Sequence, residues 1–142
     1  MLALLILLAT QTPAPVGAIA FTPPAIVWND APPTLPKGAK IAVLEGNPRE
    51  EGMFTIRVRV PAGASLPPHW HPKHERVTIL SGAAELGFGS TADPRSVVRY
   101  PAGSFYVNPP RVVHYIFFPE ATEMQMTGTG PWEIHHDESA AE

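Results

Sequence analysis

Eighteen prolines are spread along the 142 residues of this chain instead of being gathered into one tract. Proline fixes its own φ and has no N–H to give, so it interrupts helix interiors and central strands alike. Between the prolines the apolar residues do not recur at helical spacing, and no long helical pattern is found after residue 20. They alternate instead. Phe54, Ile56, Val58 and Val60 are separated by Thr55, Arg57 and Arg59, a period of two that marks a strand with one face buried. Pro61-Ala62-Gly63 ends that run. Further strand candidates are Ile41 to Leu44, Val77 with Ile79, Leu86 to Gly89, Val97 to Tyr100, Phe105 to Val107, His114 to Phe118 and Glu123 to Thr127. Many short strands punctuated by Gly and Pro predict an all-β fold, a sandwich or a barrel. A barrel or jelly roll also disposes of the strand edges that so apolar a chain would otherwise present.

The length suits a single domain, and 44% hydrophobic residues are enough for a core. The net charge of −3 comes without any run of Lys or Arg, which argues against a nucleic-acid partner. There is no cysteine, so disulfides, thiolate metal sites and thiol catalysis are excluded, and a metal would have to be held by His, Asp or Glu. Leu2 to Ala9 is an uninterrupted apolar run, far short of the roughly 20 residues of a membrane helix. With the small residues Ala18 and Ala20 following it, residues 1–20 read as a signal peptide cleaved before Phe21, although the usual basic start is missing. A periplasmic or secreted protein without a membrane span after processing is the expectation, and a cytoplasmic one if the run is not a leader. Residues 21–40 read as a Pro-rich arm with Trp28-Asn29-Asp30 at its middle, 41–134 as the barrel and 135–142 as a polar tail.

Three of the six histidines fall within Pro68-His69-Trp70-His71-Pro72-Lys73-His74-Glu75. On an extended strand His69 and His71 face one way and Trp70 the other. Glu75 lies an even number of residues further on and can return to the same face, which it shares with Val77 and Ile79. His114 opens a later strand with Ile116 and Phe118 on its own face. Two such faces brought together inside a barrel converge three imidazoles and a carboxylate, a set that suits a divalent transition ion: Fe or Mn first, with Zn, Ni or Cu also compatible. Four protein ligands on a six-coordinate ion leave two positions open, which marks a reactive or ligand-binding site. His74 has the wrong parity for a ligand, His135-His136 reads as surface, and Met124 and Met126 share a face as core or pocket lining.

In these residues the chain resembles the cupin superfamily. The first cupin motif is met throughout: Gly63, five residues, His69-Trp70-His71, three residues, Glu75, six residues, Gly82. The second runs Gly103, five residues, Pro109-Pro110-Arg111, two residues, His114, three residues, Phe118, with Arg111 where the motif has glycine and Phe118 where it has asparagine. The resemblance covers roughly residues 40 to 130. It implies a cupin-type jelly-roll β-barrel (a double-stranded β-helix), His69, His71, Glu75 and His114 as metal ligands, and a homodimer. Arg111 puts the usual turn in question, because glycine tolerates positive φ and arginine resists it. Phe118 makes the pocket more apolar.

Fold alone does not decide function, so the lining must. Ile56, Val58, Val77, Ile79, Ile116 and Phe118 are its candidate substrate-contacting residues. They are apolar and bring no evident Lys, Arg or Tyr acid–base pair, which disfavours sugar-phosphate isomerases, epimerases and oxalate enzymes. The expectation is a metal-binding cupin, in one reading an oxidoreductase of dioxygenase type on a small apolar or aromatic substrate. The alternative is a metal-dependent binding or sensor protein without turnover.

Overall fold

The computed structural model describes residues 14–137, and the apolar run Leu2 to Ala9 lies outside them. After a single 3-10 turn at Pro23–Ala25 the chain is built from β1 (Asn29–Asp30), β2 (Lys40–Glu45), β3 (Gly52–Val60), β4 (Ser65–Trp70), β5 (Glu75–Ser81), β6 (Ala83–Phe88), β7 (Val98–Pro101), β8 (Phe105–Asn108), β9 (His114–Phe117), β10 (Thr122–Gly130) and β11 (His135–His136). They form two antiparallel sheets, β1-β2-β3-β10-β5-β8 and β11-β4-β9-β6-β7. This is the all-β, jelly-roll arrangement expected.

The period of two does what it promised in β3. Phe54, Ile56, Val58 and Val60 are buried, while Arg57 and Arg59 turn outward and pair with Glu123 of β10 at 3.4 and 2.8 Å. Register stacks the interior in rows across the larger sheet. Ile56, Met126, Val77 and Tyr106 form one row, and Val58, Met124 and Ile79 the next. An end row runs Phe54, Gly128, Glu75, Asn108. In the smaller sheet His69, His114 and Phe88 lie in register, as do Leu66, Ile116 and Leu86. Leu35 and Ala39, ahead of β2, also enter the core.

The two sheets are not closed into one hydrogen-bonded barrel. On one side the two-residue strands β1 and β11 flank a surface groove of about 790 Å³ instead of pairing, and Asn29, Ile41, Glu133 and His135 line it. Two residues offer too few donors and acceptors to ladder a seam. β4 is irregular as well: its register against β9 shifts between Leu66 and His69, where Pro67 and Pro68 have no N–H to donate. β11 opens the stretch read as a polar tail, and it pairs with His69 and Trp70 of β4.

Candidate metal centre

Each of the four expected ligands stands at or just beyond the end of a strand, and the ends meet. His69 is in β4, His71 follows it, Glu75 begins β5 and His114 begins β9. Glu75 therefore comes from one sheet and His69 and His114 from the other, where they are cross-strand partners. All four are buried, at 5% exposure or less.

Their orientation is set by the main chain. Each imidazole donates its Nδ1–H to a backbone carbonyl: His69 to Pro67 at 2.7 Å, His71 to Glu133 at 2.8 Å, His114 to Val112 at 3.0 Å. That fixes the neutral tautomer and leaves Nε2 as the unprotonated nitrogen on every neutral ring. The ligand atoms of the three histidines lie within 4.8 Å of one another. Glu75 stands beside two of them, its Oε2 3.3 Å from His71 Nε2 and 3.9 Å from His114 Nε2. Asn108 donates from Nδ2 to Glu75 Oε2 at 2.9 Å and to His114 Nε2 at 3.1 Å.

Electrostatics favour neutral, coordinating rings on two of the three. Burial, with His114 adding repulsion, holds His69 down at about 3. Burial likewise lowers His114. For His71 the cost of burial is outweighed by its contact with Glu75, and its pKa is raised. Glu75 shows the reciprocal effect: burial alone would raise it, but His71 and Asn108 hold it at about 2. His71 Nε2 is nonetheless buried without a hydrogen-bond partner. Three imidazole Nε2 atoms and an anionic oxygen gathered at one point fit a divalent transition ion, which would take the place of the proton on His71.

The cluster opens onto an interior cavity of about 20 Å³ in the volume open to a water's centre, room for one or two waters or a very small ligand. Of the residues expected to line it, Val58, Ile116 and Phe118 do. Ile56, Val77 and Ile79 are buried but are packed in the core and do not line it. Met126 lies in register between Ile56 and Val77, and Met124 between Val58 and Ile79; these longer side chains provide the lining instead. Leu35, Trp132 and Ile134, from outside the sheets, complete it. Tyr106, which was not among the expected lining residues, lines the same cavity. Tyr106 shares the buried face of β8 with Asn108, while Phe105 and Val107 are exposed.

The weaker candidates settle outside the cluster. His74 is exposed. Trp70 points away from the site, as parity requires, and its ring stacks on His135 at 4.3 Å. Trp132, in contrast, stacks on His71 at 5.9 Å between centroids and 19° between planes. Arg111 keeps the turn that the second motif normally builds with glycine: it adopts φ 63°, its N–H donates to His71 O at 2.8 Å, and its guanidinium lies over Trp70.

Residues 17–133 match the family model described as the ChrR cupin-like domain. The chain belongs to the ChrR cupin-like family. Among solved structures, this cupin is similar to the polyketide cyclase RemF from Streptomyces resistomycificus, with a TM-score of 0.68 at 12% identity over 85% of this chain and 88% of that one. It is similar also to an acetylacetone dioxygenase from Acinetobacter johnsonii, with a TM-score of 0.65 at 18% identity over 95% and 87%. Likeness at these identities is likeness of fold. A curated relative, germin-like protein 3-1 of Oryza sativa subsp. japonica, is 31% identical over 68 residues, which are 47% of this chain and 30% of that protein. The cupin thus spans less than a third of that relative's length.

Proposed function

We propose that this cupin holds one divalent transition metal on His69, His71, His114 and Glu75 and binds a small molecule beside it, as an oxidoreductase of dioxygenase type. The observation that carries the metal is the set of three imidazoles whose Nδ1–H groups are tied to backbone carbonyls, leaving their Nε2 atoms to converge. A transition ion there supplies Lewis acidity and, as Fe or Mn, one-electron redox chemistry. The chain's own part is to orient the ligands, exclude bulk water with Val58, Phe118 and Met124, and hold Glu75 ionised. Redox chemistry is supported by the apolar lining and by the shared fold with a protein named as an acetylacetone dioxygenase.

A second reading, metal-dependent binding without turnover, is favoured by the cavity's small size. Reconstitution with Fe(II) under anaerobic conditions, followed by oxygen-uptake assays on small diketones and phenols, separates the two. Uptake with any of them supports the oxidoreductase. Tight metal binding with no uptake across the whole set leaves the binding reading.

A further inference from the structure

The interior cavity and the surface groove share a wall, because Trp132 and Ile134 line both. Where one residue lines two spaces, the partition between them is a single residue thick. On both sides of that point the partition is connecting chain and not sheet. Trp132 and Ile134 lie between β10 and β11; ahead of β2, Thr34 lines the groove while its neighbours Leu35 and Pro36 line the cavity. Side chains therefore close this passage, and side chains turn far faster than paired strands part. Trp132 is held in place: its backbone N–H donates to Pro48 O at 2.6 Å and its ring stacks on His71. Ile134 is apolar and half-buried, and turning its side chain breaks no hydrogen bond. The other approach to the ligands, at the end of the smaller sheet, is covered by Phe88, in register with His114 and 6.4 Å from its ring.

We propose that the unclosed seam is the route from solution to the metal, with Ile134 the side chain that turns aside and Trp132 the fixed edge that sets the width of what passes. This rests on the metal reading given above. The cavity of about 20 Å³ holds only one or two waters, whereas the groove of about 790 Å³ holds a molecule of many atoms. Pro32, Ile41 and Val43 give the groove an apolar wall, and its two carboxylates, Asp30 and Glu133, are taken up by Lys40 and His135. Arg49 is the other charged residue of its lining and is exposed. The groove thus suits the apolar body of a slender molecule whose narrow end passes Ile134 to the metal. Ile134 and Trp132 are on this account specificity-determining residues, acting on width.

The chain has no cysteine, so a single one can be introduced and capped at will. Thr34→Cys places it in the groove and Phe88→Cys at the other approach. Each is capped either with iodoacetamide, which is small, or with pyrene maleimide, which is bulky. The rate at which the metal-free full chain takes up Co(II) is then followed through the metal's visible absorption. At position 34 the bulky cap is expected to slow uptake by about tenfold or more against the small one, with the same final stoichiometry. At position 88 the two caps should give equal rates. Ile134→Ala should load faster than wild type and Ile134→Phe more slowly. Equal rates for the two caps at position 34 would overturn the route, as would slowing at position 88 as great as at 34. A folded Ile134→Ala that loads at the wild-type rate would overturn the assignment of Ile134, and if that variant does not fold the two capped positions decide. Failure of wild type to take up any cobalt would strike the metal reading itself, so final stoichiometry is measured first.

Discussion

Arg111 is the residue that most plainly works against its own backbone. Its φ of 63° is left-handed, and a side chain with Cβ pays about 1–2 kcal/mol there. What it gains is the stacking of its guanidinium over Trp70, 5.5 Å from the ring centroid. Because that contact is weak and partly exposed, Arg111→Gly is expected to raise stability by about 0.5–1 kcal/mol, read as a higher urea midpoint with an unchanged slope. Asn108 is the opposite case, a residue whose side chain holds another in place. Asn108→Leu keeps the volume and removes the donor to Glu75, and metal affinity should fall about 10–100-fold, as for other groups that orient a ligand from behind. A competition titration against a chelator of known affinity measures it, and unchanged affinity would detach Asn108 from the site. Neither residue's role was legible in full. The four candidate ligands could be read because strand parity and spacing are local properties. Asn108 reaches Glu75 and His114, and Tyr106 and Trp132 reach the cavity, only through tertiary packing, and parity says which face a side chain takes but not how far along the sheets the cavity lies. That is why Ile56, Val77 and Ile79 were placed correctly in the interior and wrongly at the cavity.

At the scale of elements, the strands with long alternating runs were legible, β3 and β10 above all. β1 and β11 were not, since two residues carry no period, and neither was the unclosed seam they flank. Within Leu86-Gly87-Phe88-Gly89, the glycine at position 87 has a packing cause and β6 runs straight through it in regular register. Gly87 of β6 lies opposite Tyr115 of β9, and a Cβ added there would meet the Tyr115 ring at 2.3 Å. The ring is itself fully buried, and its hydroxyl donates to Asp93 O at 3.2 Å, so it cannot swing aside freely. Gly87→Ala is therefore expected to destabilise the fold by about 1–3 kcal/mol through overpacking. Denaturant unfolding checks this, and a variant as stable as wild type would mean that β9 shifts easily. Because His114 begins β9, the same variant should also lose metal affinity.

For the molecule as a whole, the site ties the two sheets together, so its occupancy should be felt in global stability. With free metal at about 100 times its dissociation constant, linkage predicts a gain of about 2.7 kcal/mol, reversed by chelation. Calorimetry with and without chelator measures it, and identical midpoints would argue against a site that spans the sheets. His69→Ala should abolish the difference. In the metal-free protein, His69 and His114 have lowered pKa values, so below about pH 6.5 the unfolded chain binds more protons than the folded one. Stability should fall as the pH drops from about 6.5 toward His69's folded value of about 3. His71, whose pKa is raised, contributes stability that is already complete below its ordinary value, so it adds no opposing slope in that window. Glu75 steepens the fall below about 4.5, because its stabilisation is lost as the pH falls toward 2. A flat midpoint between pH 6.5 and 4 would contradict the burial of these rings.

The carbonyls of Pro67, Val112 and Glu133 that hold the three imidazoles belong to the main chain, which every sequence shares. Substitutions around the cavity can therefore accumulate without disturbing the rings' tautomers, provided the strand ends keep their path. Such a centre is inherited with the backbone trace. Residues facing the cavity can be exchanged by substitution while the three ring nitrogens stay where the main chain holds them.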